Sequence, residues 1–230
     1  MYGGRNVEVV MPAYNEGKTI FKVIRRVLRQ KSVDRLIVVY DKSEDATLDG
    51  IKKAMAGAGK RCRLVYSREK RGKGHAVRQG LELVGESSIV IIQDADEEYY
   101  PEDYPKLLRA FGSGSPVFGV RIGNSGHRYV LGDLATKVHT GTFNLLYRQK
   151  LKDINGAYKV FSPEMLKGYQ LKQDGWPFDQ ELATRLAKNG YTIKQVGVRY
   201  KGRTFEEGKK IGPRGAIEDF FFILADRFRR

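Results

Sequence analysis

Cysteine is almost absent from this chain: Cys62 stands alone among 230 residues. A single thiol excludes an internal disulfide and any cysteine-cluster zinc centre. Histidine is scarce as well, and His75, His127 and His139 are scattered with no metal-ligand spacing. No Ser–His–Asp or Cys–His arrangement can be assembled from such spacing. Long apolar runs are also missing. The longest conspicuous one, "FFFILA" (Phe220–Ala225), is far below the roughly 20 residues that a membrane-spanning helix needs. The amino terminus passes quickly into "VEVVMP", with no basic region leading into an apolar segment, so a secretory signal is not expected. These absences predict a cytoplasmic protein, with peripheral attachment to the cytoplasmic face of a membrane left open.

What the chain does have is positive charge. Lys and Arg number 42 against 27 Asp and Glu, a formal net charge of +15. Such an excess points to an anionic partner: a nucleotide, a nucleic acid or an acidic membrane surface. An uninvolved basic surface explains it equally well until position is considered. The last thirty residues are dense in cations, whereas acids gather around 94–103. Hydrophobic residues make up 41% of the chain, enough for one substantial core or two tightly joined lobes.

The first half alternates two kinds of pattern. "VEVVM" (Val7–Met11), "LIVVY" (Leu36–Tyr40), "RLVY" (Arg63–Tyr66) and "SIVIIQ" (Ser88–Gln93) are short apolar runs of strand type, and "VFGV" supplies a fifth near Val120. Between the first two, Asn15 is expected to cap a helix with Ile20, Val23, Ile24, Val27 and Leu28 on one face. Another helix is expected over 75–84. Near-continuous apolar strands alternating with amphipathic helices predict an α/β fold, a mostly parallel sheet covered on both faces. Sheets of that kind bind ligands at the carboxyl ends of their strands. The second half is less regular, with helices expected near 129–148 and from Phe178 to Asn189, and a strand in "YTIKQVGVRY".

Three strand ends then place polar residues on one rim: "PAYNE" (Pro12–Glu16), "YDKSEDAT" (Tyr40–Thr47) and "DADEE" (Asp94–Glu98). Two carboxylates two residues apart at a strand exit suit a hard cation such as Mg²⁺ or Mn²⁺. The alternative is that Asp94 and Asp96 merely cap the turn after the strand. In "REKRGKGHAVRQG" (Arg68–Gly80), Gly72 and Gly74 allow close backbone approach, Lys73 adds charge, and a helix N-terminus comes next. That loop suits phosphate without matching a P-loop, and a solvated basic turn fits it equally well.

Taken in order, "PAYNE", "VVYDKSEDAT", "RGKGHAVRQG", "QDADEEYYPEDYPKLL", "GVR", "INGAYKVF", "FDQELATRLAKNGY" and "GRTFEEGKKIG" resemble the family 2 glycosyltransferases of GT-A fold. Among these, the polyprenyl- and dolichyl-phosphate mannosyl and glucosyl synthases are most similar. The likeness implies a catalytic domain over 1–213, leaving 214–230 as a basic amphipathic C-terminal helix. It implies that Pro12, Tyr14 and Glu16 line a nucleotide pocket, with Val39 and Asp41 facing the base and ribose. Asp94, Ala95 and Asp96 would hold the donor diphosphate and its Mg²⁺ or Mn²⁺, with Glu98 as a further ligand. Arg121 would touch the sugar or a phosphate, and Arg203 and Lys209 would act on the donor diphosphate. The segment Asn155–Lys159 resembles one near an acceptor phosphate, with Lys159 where mannosyl synthases often carry arginine. Two departures stand out. The usual DDGS reads Tyr40-Asp41-Lys42-Ser43 here, which leaves uracil against guanine open. The transmembrane helices of many relatives do not follow.

The implied partners are a nucleotide-sugar donor, a lipid-phosphate acceptor and a membrane surface. Nucleic acid is not expected, since the chain has no recognition-helix or RNP-like pattern. A non-enzymatic nucleic-acid module and a hydroxyl-acceptor transferase are the competing readings. Only a hydroxyl acceptor needs a general base, and Asp179 is the candidate, with Glu181 behind it. An ordinary acid pair at a helix N-terminus is the alternative for both.

Overall fold

The computed structural model describes residues 1–67, 69–122, 130–203 and 213–228. Seven strands form one sheet in the order β3-β2-β1-β4-β6-β5-β7. They are β1 (Val7–Ala13), β2 (Arg35–Tyr40), β3 (Cys62–Tyr66), β4 (Ile89–Ile92), β5 (Val117–Ile122), β6 (Lys159–Phe161) and β7 (Lys194–Arg199). Pairing is parallel throughout, except that β6 runs antiparallel between β4 and β5. The expected α/β fold with a mostly parallel sheet is what the chain adopts.

The central strands are apolar for a physical reason. Val7, Val9, Val10, Met11 and all four residues of β4 are buried, because helices cover both sheet faces. Each such side chain contributes about 1.5–3 kcal/mol through burial. That stabilisation fixes β4 beside β1, with Val10 opposite Ile92, and so fixes where the acidic run leaves the sheet.

The helices are α1 (Ile20–Leu28), α2 (Thr47–Met55), α3 (Lys73–Leu81), α4 (Tyr104–Phe111), α5 (Val130–Tyr147), α6 (Phe178–Lys188) and α7 (Pro213–Phe228). The start of α1 differs from expectation. Asn15 does not cap it; its backbone adopts φ 48°. Its amide donates to Ser43 Oγ and its side-chain oxygen accepts from the Glu44 N–H, which ties two rim loops together. Gly72, with φ 109°, opens α3 so close to the loop before α6 that a Cβ there would meet the Asp174 carbonyl at 2.9 Å.

α7 packs on α5 and α6 through a mixed inner face, with Ile223 in the hydrophobic core and Asp219 and Asp226 buried beside it. Asp226 is fully buried and pairs with Arg185 and, at 3.0 Å, with Lys188. The Tyr147 phenol donates to the same carboxylate at 3.1 Å. The outer face carries Ile217, Phe221 and Phe228 exposed. No helix among the described residues is long and apolar enough to cross a membrane.

Candidate active site

The rim chosen by the strand ends is a cavity of about 580 Å³. Its lining includes Pro12, Tyr14, Glu16, Asp41, Lys73, Asp94, Ala95, Asp96, Glu98, Arg121, Asp179 and Arg203. The register explains the convergence: Asp41 N–H donates to the Ala13 carbonyl and Gln93 N–H to that of Val10, so the ends of β1, β2 and β4 stand side by side. Tyr99 and Tyr200 form an antiparallel bridge, and Lys201 N–H donates to the Glu98 carbonyl. This pairing delivers Arg203, from beyond β7, to the acidic loop after β4.

Two cations hold the carboxylates in place. The Arg203 guanidinium donates to Glu16 at 2.9 Å and to Asp96 at 2.7 Å, and its backbone N–H donates to Glu98 at 2.8 Å. The Lys73 ammonium lies 3.0 Å from Asp94 and 3.0 Å from Asp179. Positive charge is still short. Burial pushes the Asp96 carboxyl up to about 8, Asp94 and Glu98 add to the rise, and Arg203 opposes it only in part. For Lys73, burial works against the ammonium, but Asp179 and Asp94 outweigh it and raise the pKa.

This shortage is the test of whether a divalent cation fits. The donors are all carboxylate oxygens, as a hard cation requires, and a guanidinium already stands among them. Yet no three Asp, Glu, His or Cys side chains among the described residues are disposed to enclose a metal. A Mg²⁺ or Mn²⁺ held by Asp94 and Asp96 would need further oxygens from a bound diphosphate, and Glu98 is held by Arg203.

Several expected residues sit elsewhere. Val39 is fully buried under α3, against Gly80, and is absent from the cavity wall. Lys159 is fully buried beneath the wall, where the Ile154 and Gly156 carbonyls accept from its ammonium, 4.5 Å from the Phe118 ring. Burial lowers its pKa, with Asp179 opposing. The acceptor contact expected of Lys159 is therefore corrected: its ammonium is used inside the fold. Glu181 is no reserve base either, since it accepts from the backbone of Lys172 and Gln173 and from the Tyr169 hydroxyl. Lys209 lies outside the described residues.

Arg121 lines the cavity with its guanidinium fixed on Asp153 at 2.7 and 3.1 Å and on Thr136 at 3.3 Å. The structure adds residues that the motifs did not single out. Trp176, Tyr99, Tyr200, Lys70 and Arg71 also line the cavity, beside Asn155. Aromatic rings next to cations suit a sugar ring or a base beside a phosphate. Among these, Lys70 and Arg71 belong to the Gly-rich loop and Tyr99 to the acidic run already picked out in sequence, whereas Trp176 and Tyr200 carried no site signal there.

The open α/β sheet, with an acidic pair at a central strand exit and cations around it, is of GT-A type. The chain belongs to glycosyl transferase family 2, whose family model matches residues 8–169. It is 26% identical to glycosyltransferase AglJ of Haloferax volcanii, over 96% of this chain and 71% of that protein. It is 24% identical to the polyprenol monophosphomannose synthase of Mycolicibacterium smegmatis, over 95% and 85% respectively. Among solved structures, glucosyl-3-phosphoglycerate synthase from Mycobacterium tuberculosis, in complex with Mn²⁺, uridine diphosphate and glucosyl-3-phosphoglycerate, superposes with a TM-score of 0.73. That match covers 97% of this chain and 80% of the other at 22% identity, which speaks to the fold.

Proposed function

We propose that this glycosyltransferase moves a hexose, mannose or glucose, from a UDP- or GDP-sugar to a polyprenyl or dolichyl phosphate. The observation that carries the reading is the charge-deficient carboxylate rim, where Asp94 and Asp96 meet Lys73 and Arg203 in one cavity. Relatives named for polyprenol, undecaprenyl phosphate and dolichol support the acceptor class. Pro12, Tyr14 and Asp41 form the base end, Lys73 and Arg203 flank the diphosphate, and Arg121, Asn155 and Trp176 form the acceptor end. A Mg²⁺ or Mn²⁺ on Asp94 and Asp96 would supply Lewis-acid stabilisation of the departing diphosphate.

Attack by an acceptor phosphate oxygen forms the new bond to the anomeric carbon. The bond to the nucleoside diphosphate breaks, and its electron pair leaves on the diphosphate oxygen. A single displacement of this kind inverts the anomeric configuration. The nucleophile is already anionic, so no group must remove a proton from it. Asp179, paired with Lys73, fits that chemistry better than it fits service as a base for a hydroxyl.

The acceptor end has an outer surface to match. α5 exposes Leu134, Val138 and Leu145, and its packed neighbour α7 exposes Ile217, Phe221 and Phe228. Exposed Lys137 and Arg227 stand on the same two helices, and exposed Arg148 and Lys150 lie just beyond the end of α5. Apolar stripes with flanking cations suit an anionic lipid interface. On its other side α5 carries Thr136, bonded to Arg121 and Asn155 of the cavity wall.

The decisive experiment incubates the protein with UDP- or GDP-hexoses, Mn²⁺ and a polyprenyl phosphate in vesicles. Formation of a polyprenyl-phosphate hexose is expected. Transfer only to hydroxyl acceptors would replace this reading with the alternative. Co-sedimentation with anionic vesicles, lost in a Phe221→Ser/Leu145→Ser double variant, tests the lipid-facing surface; equal pelleting of both proteins would refute it.

A further inference from the structure

Lys73 is held between a rim carboxylate, Asp94, and a carboxylate from a different wall, Asp179, at 3.0 Å from each. Its side chain is only 13% exposed. The backbone leaves it little freedom, because Gly72 and Gly74 press against Asp174 and Phe178, and a Cβ on Gly74 would meet the Phe178 Cβ at 2.7 Å. Asp179 offers a fixed anchor: it opens α6, its Oδ2 faces Lys73, and its Oδ1 is buried without a hydrogen-bond partner. One ammonium thus neutralises Asp94, the carboxylate that a cation would need, while tethered to a second carboxylate outside the acidic loop.

We propose that Lys73 is a built-in competitor for the cation at Asp94, and that Asp179 is its tether. The inference rests on the nucleotide-sugar reading only for the events after a cation has entered. When a cation takes Asp94, the ammonium keeps Asp179 as its counter-ion and turns its remaining donors to the diphosphate. With no donor present, Lys73 holds the cation affinity of Asp94 down. Cation and diphosphate therefore bind best together. Asp179 acts as a positioning residue and transfers no proton.

The test is a double-mutant cycle on Mn²⁺ binding, read by the electron paramagnetic resonance of free Mn²⁺. The melting temperature of each variant checks that it is folded. Lys73→Gln removes the competitor, so Mn²⁺ alone binds about tenfold tighter. Asp179→Asn leaves Lys73 to Asp94, so Mn²⁺ alone binds more weakly. In the Lys73→Gln background, Asp179→Asn has no further effect. Additive effects would mean that both residues act only through the field at a distance, and would overturn the proposal. So would an Mn²⁺ affinity that ignores both substitutions, or a Lys73→Gln variant that binds no more Mn²⁺ than the wild type.

Nucleoside diphosphate is followed separately through Trp176, the only tryptophan in the chain and part of the cavity wall. Lys73→Gln weakens UDP or GDP binding in the presence of Mn²⁺ by about 10- to 100-fold, opposite in sign to its effect on Mn²⁺ alone. Failure of the wild type to bind either nucleotide would refute the nucleotide-sugar reading while leaving the Mn²⁺ cycle intact.

Discussion

Two buried charge clusters in this molecule use the same residue types and differ in their balance. Beneath α7, Asp226 meets Arg185, Lys188 and the Tyr147 hydroxyl, and Arg185 also lies 3.6 Å from the centre of the Tyr169 ring. The two cations outnumber the one anion there, and Asp226 is fully buried. At the rim, Glu16, Asp94, Asp96, Glu98 and Asp179 share Lys73 and Arg203, and burial with like charge pushes Asp96 up to about 8. A closed cluster whose carboxylate is fully countered by cations works as a clasp. An open one with surplus negative charge works as a receptor for positive charge.

The comparison breaks most sharply at Asp226. Asp226→Ala removes the carboxylate shared by buried Arg185 and half-buried Lys188, at a cost of about 3–5 kcal/mol. For a chain of this size that is a fall of roughly 6–20 °C in melting temperature, measurable by scanning calorimetry. Asp96→Asn should do the reverse to stability, leaving the melting temperature unchanged or raising it, because it relieves repulsion. Its effect falls on transfer, which drops by about 10²- to 10³-fold. A loss of stability as large as that of Asp226→Ala would make the rim a second clasp. A smaller effect belongs to Arg203→Ala, which removes a charge-assisted contact and should weaken nucleoside diphosphate binding about tenfold in a fluorescence titration.

The same contrast explains which parts of the molecule are legible in sequence. β1, β2 and β4 are legible because burial on both faces demands continuous apolar runs, and their ends pointed to Asp41, Asp94 and Asp96. α2 escaped notice because Gly50 interrupts it. That glycine is required by packing, since a Cβ there would meet Ile20 Cγ2 at 2.7 Å. β6 is three residues long and antiparallel, a length that periodicity cannot register. In the site, the missing information is long-range. Lys73 and Asp179 are separated by 106 positions, and nothing local announces their pairing. Lys159 looked like an acceptor contact, yet it sits between Tyr158 and Val160 in a buried strand, where local carbonyls satisfy it. Glu181 is likewise consumed by backbone N–H groups whose positions sequence does not reveal.

Asp219 lies between the two clusters and sharpens the comparison by pH. It is on the inner face of α7, accepts from Gln180 Nε2 at 3.2 Å, and has a buried Oδ1 with no hydrogen-bond partner. Burial first, and Asp179 of α6 second, push its carboxyl up to about 7; Glu218 on its own helix adds to this, while Lys73 of α3 and Lys159 of β6 oppose it. A raised acid destabilises the fold only where the unfolded chain ionises more readily than the folded one. That penalty is absent below about pH 4, grows between about 4 and 7, and is constant above. Asp219→Asn removes the titration while keeping an acceptor for Gln180. At pH 8 it should raise stability by roughly 1–3 kcal/mol, the cost of one unsatisfied buried group. At pH 4 the variant and the wild type should melt together. A pH-independent difference would mean that Asp219 stays ionised throughout, satisfied like Asp226, and would move it from the receptor side of the comparison to the clasp.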